Sequence, residues 1–93
     1  MKRQKEAVMK QFDFVVKASV GIHARPAMQL VSVARKFQSD IKLSYNGNSA
    51  DAKNIISVLM LHANQGAEVT FSIDGLDEED AYKEMKQFCK TNL

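Results

Sequence analysis

The stretch GIHARPAM, residues 21–28, brings together residue types that could handle a phosphoryl group. Pro26 has a fixed φ and no N–H, which favours the first helical turn and places His23 at or beside the N-cap. The first N–H groups of a helix lack intrahelical acceptors and, with the helix dipole, attract anions. Arg25 adds a planar guanidinium suited to phosphate oxygens, and Gly21 allows a tight turn into the helix.

Imidazole is nucleophilic near neutral pH without further activation, so His23 could accept a phosphoryl group and donate it again. The group would then meet the helix start formed by Ala24, Arg25 and Pro26. The residues alone also allow an ordinary helix start, in which His23 is simply polar and Arg25 is a solvated charge. The second histidine, His62, has no ligand or base nearby in sequence and is predicted to be an exposed helix-end residue.

The elements that must position these residues follow the order β-α-β-β-α-β-α according to the hydrophobic pattern. The first strand lies within residues 11–17, and its inward face carries Phe12, Phe14 and Val16. An amphipathic helix is predicted from Pro26 to about Phe37. Alternating residues 41–45 then lead to Asn46-Gly47, a dipeptide typical of a type I′ hairpin turn.

The second half of the chain supplies a short helix, a strand and a final helix. Periodicity leaves the apolar run after Asn54 open between strand and helix, but Asn54 as N-cap and Gly66 as terminator favour a short helix. Residues 69–73 alternate as the last strand. The final helix is predicted to start with Asp77 as N-cap and with a hydrophobic staple between Leu76 and Ala81.

Strands alternating with helices, together with one tight hairpin, predict an α+β fold with helices packed on one face of a mostly antiparallel sheet. We expect one domain over residues 10–93, because a chain of 93 residues is too short for a second core. Residues 1–9 are predicted to be a polar extension that either frays or prolongs the first strand.

Composition excludes several classes of function. The formal charge is +2, and much of the excess comes from Lys2, Arg3 and Lys5, so we expect no nucleic-acid binding. The single cysteine, Cys89, allows no intrachain disulfide and suggests no metal site. No apolar run resembles a signal peptide or membrane span, so we expect a cytoplasmic protein. Nucleotide-binding and hydrolase motifs are also missing from the sequence, and residues 77–80 are interpreted as helix capping.

On the motif GIHARPA, the chain resembles the HPr family, the histidine-containing phosphocarriers of the bacterial phosphoenolpyruvate-dependent sugar phosphotransferase system. The likeness runs from about Phe12 to the C-terminus and includes YNG at residues 45–47, AKNIISVL at 52–59, QGAEVTFSIDG at 65–75 and DEEDA at 77–81. The resemblance implies an open-faced β-sandwich, with a four-stranded antiparallel sheet in the order 1-4-2-3 and three helices on one face.

The same resemblance implies a function for the helix start. His23 would be phosphorylated on Nδ1 by enzyme I and would pass the group to the IIA domains of sugar permeases, while Arg25 would stabilise the phosphoryl charge. Such a protein is a carrier and not an enzyme, it needs no cofactor or metal, and we expect it to be a monomer. An alternative is a regulatory paralogue or a nitrogen-type phosphorelay protein on the same scaffold.

The resemblance also implies a docking surface beside His23. Its residues would be Met28, Gln29, Ile55, Ile56 and Leu59, although the apolar run after Asn54 must also supply core residues. Gram-positive members of the family carry a regulatory serine, phosphorylated by HPr kinase, where this chain has Asn54. Asparagine retains the N-cap role but has no hydroxyl, so regulation through this position is doubtful, and we do not expect Ser57 to replace it.

Overall fold

The computed structural model describes residues 10–93, and the predicted extension over residues 1–9 lies outside the described residues. The element order agrees with the prediction. The strands are β1 (Lys10–Val15), β2 (Asp40–Tyr45), β3 (Asn48–Asp51) and β4 (Glu68–Asp74). The helices are α1 (Ala24–Ala34), α2 (Ile55–Leu59) and α3 (Glu78–Asn92).

The four strands form one antiparallel sheet in the order β1-β4-β2-β3. In the register of β1 with β4, Phe12 is opposite Phe71, and in that of β2 with β4, Leu43 is opposite Phe71. Because side chains alternate along a strand, these residues share the face that the helices cover. The expected fold class and strand order are therefore confirmed.

The core lies between this face of the sheet and the helices. Phe71 is fully buried, stacks on Phe12 with ring centroids 4.9 Å apart, and Phe12 also contacts Tyr82 of α3 edge-on. Leu30 of α1 and Met85 of α3 are fully buried on the same side. Burying side chains of this size contributes about 2 kcal/mol each, which fixes both long helices on the sheet.

The helix boundaries differ in part from those predicted. The helix α1 begins at Ala24, ahead of Pro26, and ends at Ala34, after which Phe37 N donates to Ala34 O in a tighter turn. The prediction that Gly66 terminates α2 is wrong, because the helix ends at Leu59 and tightens into a turn in which His62 N donates to Leu59 O. His62 itself has a positive φ of 54° and takes the role expected of a glycine.

The two contacts predicted for the start of α3, the Asp77 cap and the hydrophobic staple, are also wrong. Asp77 occupies the N-cap, but its carboxylate makes no capping bond within the described chain. It instead accepts hydrogen bonds from Gln38 N and Ser39 N at 2.9 Å and from Ser39 Oγ at 2.5 Å. Leu76 is 90% exposed, so it forms no hydrophobic staple with the buried Ala81. Asp77 therefore links α3 to the segment before β2.

Cys89 is buried in α3, as predicted for a small apolar residue, and burial raises the pKa of its thiol to about 12. Within residues 10–93, no cluster of three or more His, Cys, Asp and Glu side chains could hold a metal ion. In the same range, no helix is long and apolar enough to cross a membrane.

Candidate functional site

His23 is the N-cap of α1 and lies on the surface of the molecule. Its backbone is extended, with φ −109° and ψ −166°, and its carbonyl accepts the first intrahelical hydrogen bond from Ala27 N at 2.9 Å. A polar N-cap side chain usually accepts a hydrogen bond from the first turn, but the His23 imidazole makes no such bond with the described residues. The imidazole is therefore accessible to a reaction partner.

The first turn of α1 offers backbone donors beside this imidazole. Ala24 and Arg25 precede the first N–H that bonds within the helix, and Pro26 has no N–H to satisfy. No acidic residue lies in this turn, whereas the first turn of α3 contains Glu78, Glu79 and Asp80. The positive end of the α1 dipole is thus left for an external anion, and the exposed Arg25 adds a full positive charge.

The loop before His23 is fixed by chain segments that are distant in sequence. Ile22 N donates to Ala63 O at 2.9 Å, and Lys17 N and Ala18 N donate to Leu93 O at 2.6 and 2.7 Å. Gly21 has φ +71°, and a Cβ there would lie 2.7 Å from Ala63 O. This close approach requires glycine, which accounts for Gly21 in the motif.

The predicted docking residues lie on α1 and α2, which pack beside each other. Met28 is 59% exposed and Ile56 is 65% exposed, and Gln29 is also exposed. Ile55 and Leu59 are half-buried against the core, so they serve packing as well as any contact surface. Exposed apolar residues thus lie on both helices, and His23 is the N-cap of α1.

Two further large apolar residues, which the sequence pattern did not mark as exposed, lie on the surface in neighbouring segments of the chain. Val20, in the loop before His23, is 63% exposed, and Met60, the C-cap of α2, is 67% exposed. Met60 belongs to an apolar run and Val20 to a short loop. Hydrophobic periodicity could not show that these two residues are exposed while their apolar neighbours are buried. His62 lies just beyond, is exposed as predicted and precedes Ala63 of the supporting segment.

Asn54 is the N-cap of α2, as the sequence predicted. Its side-chain oxygen accepts a hydrogen bond from Ser57 N at 3.2 Å. Ser57 is half-buried, and its hydroxyl lies 3.4 Å from Asp51 N. An amide thus makes the capping contact that a serine hydroxyl would make, and position 54 lacks a group that can be phosphorylated.

Comparison with known proteins agrees with this fold. Residues 10–91 match the family model described as the phosphorylation site of the PTS HPr component. The histidine-containing phosphocarrier protein of Mycoplasma is 34% identical, with a TM-score of 0.83 over 85% of this chain and 90% of that chain. HPr from Thermoanaerobacter tengcongensis is also 34% identical, with a TM-score of 0.85 over 89% and 93% of the two chains.

A third similar structure is the catabolite repression protein Crh of Bacillus subtilis, whose structure is described as a swapped, intertwined dimer. It is 30% identical, with a TM-score of 0.71 over 100% of this chain and 98% of that chain.

The fold and the helix start together resemble those of small histidine-containing phosphocarrier proteins. The chain belongs to the HPr family.

Proposed function

We propose that this protein accepts a phosphoryl group from phospho-enzyme I on Nδ1 of His23 and transfers it to the IIA domains of sugar permeases. The observation that carries the proposal is the state of His23, an exposed N-cap whose imidazole makes no capping hydrogen bond with the described residues. An N-cap serving only helix stability would be expected to use its side chain for that bond.

The helix start supports the chemistry of both transfers. The lone pair of the imidazole nitrogen attacks phosphorus, a nitrogen–phosphorus bond forms, and the bond to the donor breaks with its electron pair leaving on the donor. The N–H groups of Ala24 and Arg25 and the Arg25 guanidinium stabilise the phosphoryl oxygens. Transfer to a IIA domain reverses this sequence, so the protein is a carrier without a product of its own.

The apolar patch supports alternate docking of the two partners. Met28, Gln29, Ile56 and the exposed edges of Ile55 and Leu59 form a shallow surface that different partners can share. We add Val20 and Met60 to this surface because they are exposed. The carrier would act in the cytoplasm, where we expect it to be a monomer.

The first experiment incubates the full chain with enzyme I, phosphoenolpyruvate and Mg²⁺ and measures the intact mass. We expect the gain of one acid-labile phosphate and no gain in His23→Ala. Arg25→Ala should still fold but accept the group about tenfold more slowly, because it loses one charge-assisted contact to the phosphoryl oxygens. Phosphorylation of His23→Ala to the same extent as the unaltered chain would refute the proposal. His62→Ala is the matched control and should gain one phosphate like the unaltered chain.

The similarity to the catabolite repression protein Crh favours a second candidate, a regulatory paralogue on the same scaffold. A nitrogen-type phosphorelay protein is the other alternative. Transfer from phosphorylated protein to a purified sugar IIA domain separates the two. Loss of phosphate from His23 to the IIA domain supports the sugar carrier. Stable phospho-His23 in the presence of several sugar IIA domains supports the alternative.

We also propose that HPr kinase does not regulate this protein through position 54. The amide of Asn54 caps α2 but offers no oxygen that could form a phosphate ester. Incubation with HPr kinase and ATP should leave the mass unchanged, and Asn54→Ser tests whether the site is restored. Phosphorylation of the unaltered chain that is abolished in Ser57→Ala would contradict the proposal.

A further inference from the structure

The second histidine of the chain, His62, follows α2 in a backbone conformation that is uncommon for a residue with a side chain. Its φ is 54°, in the left-handed region that glycine and asparagine adopt most readily. The turn after α2 would form more easily with glycine, so stability alone does not account for a histidine here. The His62 side chain is exposed and makes no hydrogen bond or ion pair with any residue of the range 10–93. Its imidazole is therefore free to bind a group from outside the fold.

The fold brings His62 to the same surface as His23, although the two are far apart in the sequence. Ile22 N donates to Ala63 O at 2.9 Å, and a Cβ added to the glycine before Ile22 would lie 2.8 Å from the Cα of Asn64. The two segments therefore run in opposite directions, and the two histidines adjoin the bonded pair on the same side. Opposed residues of antiparallel segments have Cβ atoms about 5 Å apart, so one phosphoryl group could contact both imidazoles.

The segments that form this surface contain no acidic side chain. Residues 16–34 and 54–67 include no Asp or Glu, although the whole chain has 11. Their charged side chains are Lys17 and Arg25, and the positive end of the α1 dipole lies at His23. No carboxylate of these segments competes for the His62 imidazole, and their charges favour an anion over a metal cation.

We propose that His62 binds the phosphoryl group carried on His23, by donating a ring N–H to a phosphoryl oxygen. The inference rests on the proposed phosphorylation of His23 and adds to it a donor from a distant part of the sequence. Imidazole has at least one N–H whether it is neutral or protonated, so the donor is present in both states. A hydrogen bond to a charged oxygen is roughly twice as strong as one between neutral groups, and it favours retention of the group by the carrier.

Two substitutions separate this donor from the backbone role of position 62. His62→Gly relieves the positive φ and removes the donor, whereas His62→Asn tolerates the same φ and retains an amide N–H. Urea unfolding should show that both variants are at least as stable as the unaltered chain. If His62 served only the turn after α2, neither variant would lose affinity for the phosphoryl group.

The main measurement is the share of phosphoryl groups that each variant holds in competition with isotope-labelled unaltered chain. Trace enzyme I and limiting phosphoenolpyruvate exchange the group between the two carriers, and the label keeps their masses apart. Because enzyme I only catalyses this exchange, its affinity for either carrier does not enter the equilibrium ratio. We expect His62→Gly to hold the group about fivefold less well, through loss of one charge-assisted hydrogen bond, and His62→Asn to lie within about twofold of the unaltered chain. Equal sharing with His62→Gly would overturn the inference.

Asn64→Gly is the matched control, because Asn64 is an exposed polar residue of the same segment. It should share the group equally with the unaltered chain, and a similar fivefold loss in this variant would also overturn the inference. His62→Ala still gains one phosphate in the intact-mass experiment, since excess phosphoenolpyruvate drives that reaction to completion.

A second measurement does not require enzyme I. Phosphoramidate transfers its phosphoryl group to a ring nitrogen of histidine with loss of ammonia, and NMR of the rings identifies the species modified on His23. We expect one ring N–H of His62 to become protected from exchange with water in this species. Unchanged His62 ring signals would overturn the inference and leave His23 as the acceptor. A chain that phosphoramidate modifies but enzyme I does not would instead refute the proposed carrier function, and the ring signals would still decide the role of His62.

Discussion

At the scale of single residues, the site depends on a histidine that contributes its backbone to the helix and leaves its side chain to the solvent. The carbonyl of His23 receives the first helical bond, while its imidazole makes no cap with any described group. Arg25 and the N–H groups beside it supply positive charge without an acidic neighbour in the same turn. The backbone of His23 therefore serves the helix, while its imidazole is left for the phosphoryl transfer that we propose.

Gly21 is the residue whose replacement should disturb this arrangement most directly. In Gly21→Ala the new Cβ would approach Ala63 O and Asn64 Cα at 2.7 and 2.8 Å, in a backbone with φ +71°. We expect a loss of about 3 kcal/mol in the free energy of unfolding, from strain and displaced backbone together. Urea unfolding of Gly21→Ala and the unaltered chain measures this difference in free energy.

Gly66 provides the control for this prediction. It has φ +91°, and no described atom beyond its chain neighbours lies within 4 Å of an added Cβ, so Gly66→Ala should cost about 1 kcal/mol from conformation alone. Equal losses in the two variants would show that contact with the Ala63 segment is unimportant. Only Gly21→Ala should also slow phosphorylation of His23.

At the scale of elements, the sequence predicted the type and order of every described strand and helix but not the contacts that join them. Alternation and helical spacing are local signals, so β4 and α1 could be identified from them. The bonds of Asp77 to Gln38 and Ser39 cross a long stretch of chain, and local capping rules assigned that carboxylate to its own helix. The end of α2 was misplaced because His62 takes a positive φ that the rules favour for glycine.

For the candidate site too, local signals were predictable from the sequence and long-range contacts were not. His23, Arg25 and Pro26 signal a helix start locally, and their identification with phosphate chemistry gained weight from the family resemblance. The support from Ala63 and Leu93 had no local signal, since both are ordinary apolar residues far along the chain. Met60 is exposed and Val58 is buried, but both lie in one apolar run, so the sequence pattern could not predict this difference.

The contacts of Asp77 predict a pH dependence of stability. Hydrogen bonds from Ser39 and Gln38 lower the pKa of Asp77 below its ordinary 3.8. Its charged form therefore stabilises the fold above pH 3.8, and this contribution is lost as the pH falls through the lowered pKa. Asp77→Asn should be less stable than the unaltered chain at neutral pH, and the difference should shrink in acid.

Urea unfolding at several pH values tests this expectation. Asp80→Asn is the matched control, because Asp80 is an exposed carboxylate in the same first turn of α3. A pH-independent difference between Asp77→Asn and the unaltered protein would contradict the assigned role of the carboxylate.

The cap of α2 gives a second prediction for an element. Asn54→Ala removes the bond to Ser57 N and should lower the free energy of unfolding by about 1 kcal/mol, whereas Asn54→Ser should change it by a few tenths. Thermal or urea unfolding distinguishes the two. A large loss in Asn54→Ser would mean that the amide has contacts besides the cap.

At the scale of the whole molecule, we expect a monomer, although the similar Crh structure is a swapped dimer. Exchange of β1 between chains would require the loop over residues 16–22 to open. That loop is held by hydrogen bonds at both ends: Ile22 N donates to Ala63 O, Val16 N donates to Ala67 O, and Gly66 N donates to Val16 O. Light scattering should give the sequence mass of 10.4 kDa at micromolar concentration, and a twofold mass would contradict this expectation.

The bonds of Lys17 and Ala18 to Leu93 also have a consequence for synthesis. During translation, β1 and the His23 helix leave the ribosome long before β4 and Leu93, the segments that support them. Because loop closure over so many residues must precede those contacts, the helix start should reach its final geometry only after residue 93 has emerged. We therefore expect nascent chains to be poor phosphoryl acceptors, so that the proposed transfer to His23 would reach only chains whose fold is already complete.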